Sequence, residues 1–183
     1  EWHAPMAVAS MKAGKYAGVE VPGAITVEEC WELVNTYEET GVPCMILENV
    51  CYERNVLAIL NMVRQGLFGE LLHCECGYQH HFRSWYMNPD REVRWREKHN
   101  MKRNGDLYPT HGVGPMAQIL NIDRGNRFVY LTSTATKSRS INYIAERLYY
   151  PGNPLAKRKY AIGDIVTTVI KCHNGETITI NHD

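Results

Sequence analysis

Tyr108 and His111 stand three residues apart in NGDLYPTHGVGP, residues 104–115, between a turn signal and a pair of glycines. Their side chains suit proton transfer. An imidazole titrates near neutral pH and can both give and take a proton. A phenol, with a reference pKa of about 10, deprotonates a hydroxyl only beside a cation. Arg96 can supply that charge, or grip a ligand through its planar fork. Asn104-Gly105 marks the turn, and Gly112 and Gly114 leave room for something to approach the backbone closely. The stretch reads as too polar for a core strand and too glycine-rich for a helix interior. The rival reading of His111 is structural, a ring tying the loop to its own backbone.

Such groups need elements to hold them, and the apolar pattern outlines these. Pro5 suits the first turn of a helix, and Met6, Val8, Ala9 and Met11 continue it to Gly14. YAGVEV at 16–21 then reads as a short strand. Thr26 and Glu29 have capping-box spacing ahead of a helix ending near Thr40-Gly41. PCMILENV at 43–50 is a continuous apolar run, as expected of a parallel strand covered on both faces. Glu20 and Glu48 end these two strands, where α/β sheets bind ligands. Only two such strands are visible, and no first βα turn carries a phosphate-cradling glycine motif. A parallel pair alone cannot cover its edges. The sequence therefore reads as an internal piece of a longer protein.

From residue 54 the rhythm changes. RNVLAILNMVRQG has Val56, Ile59, Leu60 and Val63 at helical spacing. GELLHCECGYQHH, RFVYLTSTATKS and the two runs flanking Asn174-Gly175 read as strands, the last pair as a hairpin. GPMAQILNI reads as a helix, and the polar segment 84–106 as a long loop. The whole is α/β followed by α+β. Residues 1–53 read as the end of a doubly wound, Rossmann-type sheet, and 54–183 as an α+β domain with an open, largely antiparallel sheet.

Composition narrows the function. Lysine plus arginine equals aspartate plus glutamate, and no basic stripe interleaves with aromatics, which argues against a nucleic-acid surface. No apolar run approaches a membrane span. The six cysteines follow no zinc spacing and read as reduced, small hydrophobes rather than metal ligands. His73, His80 and His81 carry no assigned role, and Arg83, Arg124 and Arg127 read as surface charges.

EWHAPMAVASMKAGKYAGVEVP resembles the end of the nucleotide-binding domain in the Gfo/Idh/MocA oxidoreductases, and ENVCYERNVLAILNMVRQGLFGELLH their crossover into the sheet domain. Within that superfamily, VEVP, LENVCY, CGYQHHFR, RNGDLYPTHGVGP, DRGNRF, GDIVTT and CHNGETI are most similar to glycoside hydrolase family 109. The resemblance covers essentially the whole chain, and the family's chains extend beyond both ends. Two departures from the superfamily are visible. Val21 replaces its EKP lysine, and Thr110 and Gly114 replace the aspartate and histidine of its DxGxH motif. His81 departs from the family itself, where aspartate is usual, and the loop before Arg96 is shorter. Both bear on substrate preference.

The resemblance implies an NAD-dependent glycosidase acting on terminal α-linked N-acetylgalactosamine or a related hexosamine. Oxidation at the 3-position acidifies the 2-proton, elimination expels the aglycone, water adds, and re-reduction restores the sugar with retention. This route is an exception to the two-carboxylate rule. It implies His111, Tyr108 and Tyr52 as catalytic groups, Tyr52 being readable equally as a half-buried packing residue. Trp2, His3, Glu20, Val21, Asn49 and Tyr108 would meet NAD. Tyr78, Arg96, Tyr108, Pro109, Thr110 and His111 would meet the sugar, whose axial hydrogens pack on aromatic faces. The expected partners are a small-molecule or glycan substrate and a second copy through the sheet domain. Family members are bacterial and often exported. An NAD(P)-dependent sugar dehydrogenase is the alternative, and a noncatalytic sugar- or partner-binding remnant a third. The chain by itself is expected to be inactive.

Overall fold

In the computed structural model, residues 2–81 and 95–183 are described. The chain forms two compact units, Glu1–Met62 and Val63–Asp183.

The first unit runs helix α1 (His3–Lys12), strand β1 (Ala17–Val19), helix α2 (Val27–Thr40), strand β2 (Cys44–Ile46), a 3₁₀ turn (Asn49–Tyr52) and helix α3 (Arg54–Arg64), which continues past its end. In α1 the buried residues Ala4, Ala7, Val8 and Met11 recur at helical spacing. Ala7 and Met11 pack on Ala17 and Val19. The capping box forms as the sequence specifies: Thr26 Oγ1 accepts from Glu29 N at 3.1 Å, and Glu29 returns a carboxylate oxygen to Ile25 N at 2.7 Å. Gly41 closes α2 in the left-handed conformation, φ 66°, donating its N–H to Tyr37 O. β1 and β2 pair in parallel. Among the described residues β2 lacks the expected cover on both faces, and Met45 and Ile46 are exposed.

The second unit is a four-stranded open sheet in the order β3–β6–β5–β4, comprising β3 (His73–Tyr78), β4 (Phe128–Ala135), β5 (Val166–Cys172) and β6 (Thr177–His182). β5 pairs antiparallel with both β4 and β6, while β3 lies parallel to β6. The Asn174-Gly175 hairpin is present, with Gly175 at φ 111°. On β6, Ile178, Ile180 and His182 alternate into the buried face, and on β5 Val166, Ile170 and Cys172 do the same. β4 is an edge strand whose Val129, Tyr130 and Leu131 are exposed.

Two expectations fail here. The glycine pair lies inside a helix, α5 (Thr110–Ile119), and not in a loop ahead of one. The polar segment ends in a helix, α4 (Trp95–Lys102). The first of these helices starts early because Gly112 lets it touch the sheet. A Cβ there would stand 3.0 Å from Cys76 Sγ and 3.3 Å from Gly77 N. The close approach foreseen for the glycines is thus made by strand β3. α4 has no apolar stripe, and tertiary bonds hold it. Buried Glu97 pairs with Arg158 and accepts from Tyr160 Oη at 3.0 Å, and Asn100 O accepts from Ala161 N and Ile162 N.

Candidate active site

Helix α5 and strand β3 bring their ends together, and the chemistry-bearing side chains lie at that junction. Asp106 Oδ1 accepts from Tyr108 N at 2.8 Å, a local turn that fixes the approach to α5. Tyr78, the last residue of β3, stacks on Tyr108 with ring centroids 4.9 Å apart and planes 27° from parallel. His111, in the first turn of α5, tilts against both rings, 5.2 Å from Tyr108 and 5.3 Å from Tyr78. The Arg96 guanidinium lies 4.7 Å from the Tyr108 ring centre and 6.0 Å from that of Tyr78. The cation that a reactive phenol requires is therefore beside it.

Tyr78, Tyr108 and Arg96 border a cavity of about 340 Å³ within the second unit. Tyr78, Arg96, Tyr108 and His182 lie on its wall, with an apolar side of Leu107, Ile141, Ile144 and Ile162. A concave site with a few convergent polar groups on an apolar wall suits a small ligand. Pro109, the N-cap of α5, Thr110 and His111 are not on that wall among the described residues. His111 touches two rings that are. Thr110 Oγ1 is buried with no hydrogen-bond partner among the described residues.

Sequence reasoning missed Asp106 and His182. Their side chains are 8% and 9% exposed, and His182 Nε2 lies 3.9 Å from Asp106 Oδ1. Burial pushes the Asp106 carboxyl up, opposed by the Tyr108 N–H and by neighbouring His182. Burial likewise pushes the His182 imidazole down, opposed chiefly by Asp106. A signal was available: in the alternating run ITINH, His182 falls where the pattern demands a buried side chain. His80 and His81, given no role, also line the cavity. His73 instead bonds Thr177 Oγ1 through Nδ1 at 2.8 Å on exposed surface. Arg83 lies outside the described residues.

The remaining predicted residues belong to the first unit. Trp2, exposed, caps α1, and His3 begins it. Glu20 follows β1 and turns Oε1 onto Val21 N at 2.7 Å. Val21 is buried, and its N–H is taken by that carboxylate. Glu48 caps the 3₁₀ turn by accepting from Val50 N at 3.0 Å; Asn49 opens that turn and exposed Tyr52 closes it.

A family model described as the C-terminal domain of glycosyl hydrolase 109 matches residues 52–183. The chain belongs to glycosyl hydrolase family 109. It is 52% identical over 202 residues to an alpha-N-acetylgalactosaminidase of Tannerella forsythia, covering all of this chain and 43% of that protein. It is 49% identical over 203 residues to a family 109 protein of Parabacteroides distasonis, covering 44% of it. The chain thus spans under half the length of these relatives. An NAD binding oxidoreductase of Klebsiella pneumoniae superposes with a TM-score of 0.73 at 22% identity, over all of this chain and 45% of that one. An inositol dehydrogenase homolog of Azotobacter vinelandii, complexed with NADH and myo-inositol, gives 0.66 at 17% identity, over 98% of this chain and 41% of that one. The family 109 chain therefore has the Gfo/Idh/MocA fold, with the mixed open sheet of its second domain.

Proposed function

We propose that the complete protein is an NAD-dependent glycosidase that releases terminal α-linked N-acetylgalactosamine, or a close hexosamine, with retention. The observation that carries this reading is the aromatic wall of Tyr78 and Tyr108, with His111 against both rings and Arg96 over Tyr108, beside the cavity. Stacked tyrosines suit a sugar face, and the imidazole, phenol and guanidinium suit acid–base work on its hydroxyls. The sugar rests on Tyr78 and Tyr108, gripped by Arg96, within the stretch Tyr108-Pro109-Thr110-His111. Tyr108 meets the reacting hydroxyl, Arg96 stabilises its phenolate, and His111 exchanges the proton.

The parallel strands β1 and β2 carry Glu20, Asn49 and buried Glu48 just past their carboxyl ends, the donor set and place at which α/β sheets hold nucleotides. Glu20, Val21 and Asn49, with Trp2 and His3, would hold NAD. When bound, NAD supplies reversible hydride acceptance at the sugar's 3-carbon. The chain's own groups then remove the 2-proton, protonate the departing oxygen and deprotonate the added water.

Substrate deuterated at carbon 2 separates this route from ordinary hydrolysis. Release of sugar with deuterium exchanged into solvent, and no net NADH, is expected. Full retention of the label would exclude elimination, and NADH accumulating with turnover would indicate a sugar dehydrogenase.

A further inference from the structure

We propose that Arg158 is a positioning residue of this site: through its ion pair with buried Glu97 it locks helix α4 in the rotation that keeps Arg96 over the Tyr108 ring. The inference rests on the reading of Tyr108 as a reactive phenol served by Arg96.

α4 has eight residues and no apolar stripe, and so short a helix is marginal on its own. Its rotation is therefore set by what bonds to it. One stretch of chain, 158–162, does so at two points. Arg158 Nη1 and Tyr160 Oη both donate to Glu97 Oε1, the latter at 3.0 Å, while Ala161 N and Ile162 N donate to Asn100 O at 3.0 and 3.1 Å. That stretch is itself held. Asn142 Nδ2 donates to Arg158 O at 2.8 Å, and Tyr160 and Ile162 pack with Val166 against Leu107, Ala135 and Ile141. Burial and Glu97 push the Tyr160 phenol up, which keeps it a donor. Arg96 precedes Glu97, so about 100° of helix separates the two side chains. Arg96 and Asn100, one turn apart, lie on the cavity wall. Side-chain tips stand about 5–6 Å from a helix axis, so a rotation of about 10° shifts them by about 1 Å. The Arg96 guanidinium is 4.7 Å from the Tyr108 ring centre, and its attraction for a phenolate there weakens with distance. An ion pair taken out of water adds little net stability, because desolvation offsets the attraction, but losing one member strands the other charge. What the Arg158–Glu97 pair contributes is orientation.

The test is a pH titration of Tyr108 in the complete, NAD-loaded protein. Tyrosinate absorbance is read as the difference between each protein and the same protein carrying Tyr108→Phe, with circular dichroism checking the fold at each pH. The other titratable groups against Tyr108, namely Tyr78, His111 and Asp106, are the same in every variant. Arg96→Met should lower the acid-dissociation constant of Tyr108 about fivefold, and Arg158→Met about threefold. In an Arg96→Met background, Arg158→Met should change it no further, an outcome that a general loosening of the fold would not give. If Arg158→Met does not fold, Tyr160→Phe, which removes one bond to Glu97, decides by a fall of about twofold. No shift in the deciding variant, or the same shift with and without Arg96, overturns the positioning role. An unshifted Tyr108 in Arg96→Met overturns the reading of Arg96 as its activator, and this inference with it.

Discussion

Gly112→Ala sets two opposing effects against each other at the junction that seats His111. Removing a glycine from a helix interior stabilises by roughly 0.5–1 kcal/mol. The new Cβ, however, would stand 3.0 Å from Cys76 Sγ and 3.3 Å from the main-chain Gly77 N. Carbon contacts are comfortable at roughly 3.5–4.0 Å, so α5 must retreat from β3 by about half an ångström. Overpacking of this kind costs about 1–3 kcal/mol, which leaves a net loss of about 1 kcal/mol. In a Cys76→Ala background the tightest contact, that to the sulfur, is gone while the one to Gly77 N stays, so the cost of Gly112→Ala should fall. Urea unfolding of the four proteins of this cycle, followed by circular dichroism, measures the difference. A coupling of about 1 kcal/mol or more between the sites is expected. An equal cost of Gly112→Ala in both backgrounds, or a stabilisation in the wild type, would refute the packing argument. The retreat should also loosen the His111–Tyr78 contact, now 5.3 Å between centroids, and lower turnover.

Three further outcomes follow from named groups. His111→Ala in the complete protein should lower kcat by about 10²–10⁴-fold with NAD content intact, and Tyr108→Phe by less; near-normal turnover in His111→Ala would return the histidine to a structural role. Thr26→Ala removes the acceptor for Glu29 N and should cost about 1 kcal/mol, read by thermal or denaturant unfolding. Burial pushes the Cys76 thiol up from 9.0 to about 11, so its contribution to stability is complete below the unfolded value and is lost as pH rises through the folded one. Alkylation mapped by mass spectrometry at mildly alkaline pH should accordingly modify exposed Cys30 well before Cys76, and equal rates would contradict the burial.

Local chemistry alone determined much of this protein. The Thr26–Glu29 box, the Gly41 stop and the Asn174-Gly175 turn are written in neighbouring residues, because caps and turns are satisfied within a few positions of the chain. Long motifs carried the family, and the types and spacing of Tyr108 and His111 marked a place for proton transfer. What only the tertiary structure decided are pairings between distant residues. α5 forms through two glycines because β3 lies against Gly112, and α4 forms without an apolar stripe because Glu97 meets Arg158 and Tyr160. Tyr78 reaches Tyr108, and His182 reaches both Tyr78 and Asp106, only when β3 and β6 align in register. Neither partner's own sequence neighbourhood encodes such a contact. It exists because the sheet that buries Ile178 and Ile180 carries His182 to the same face.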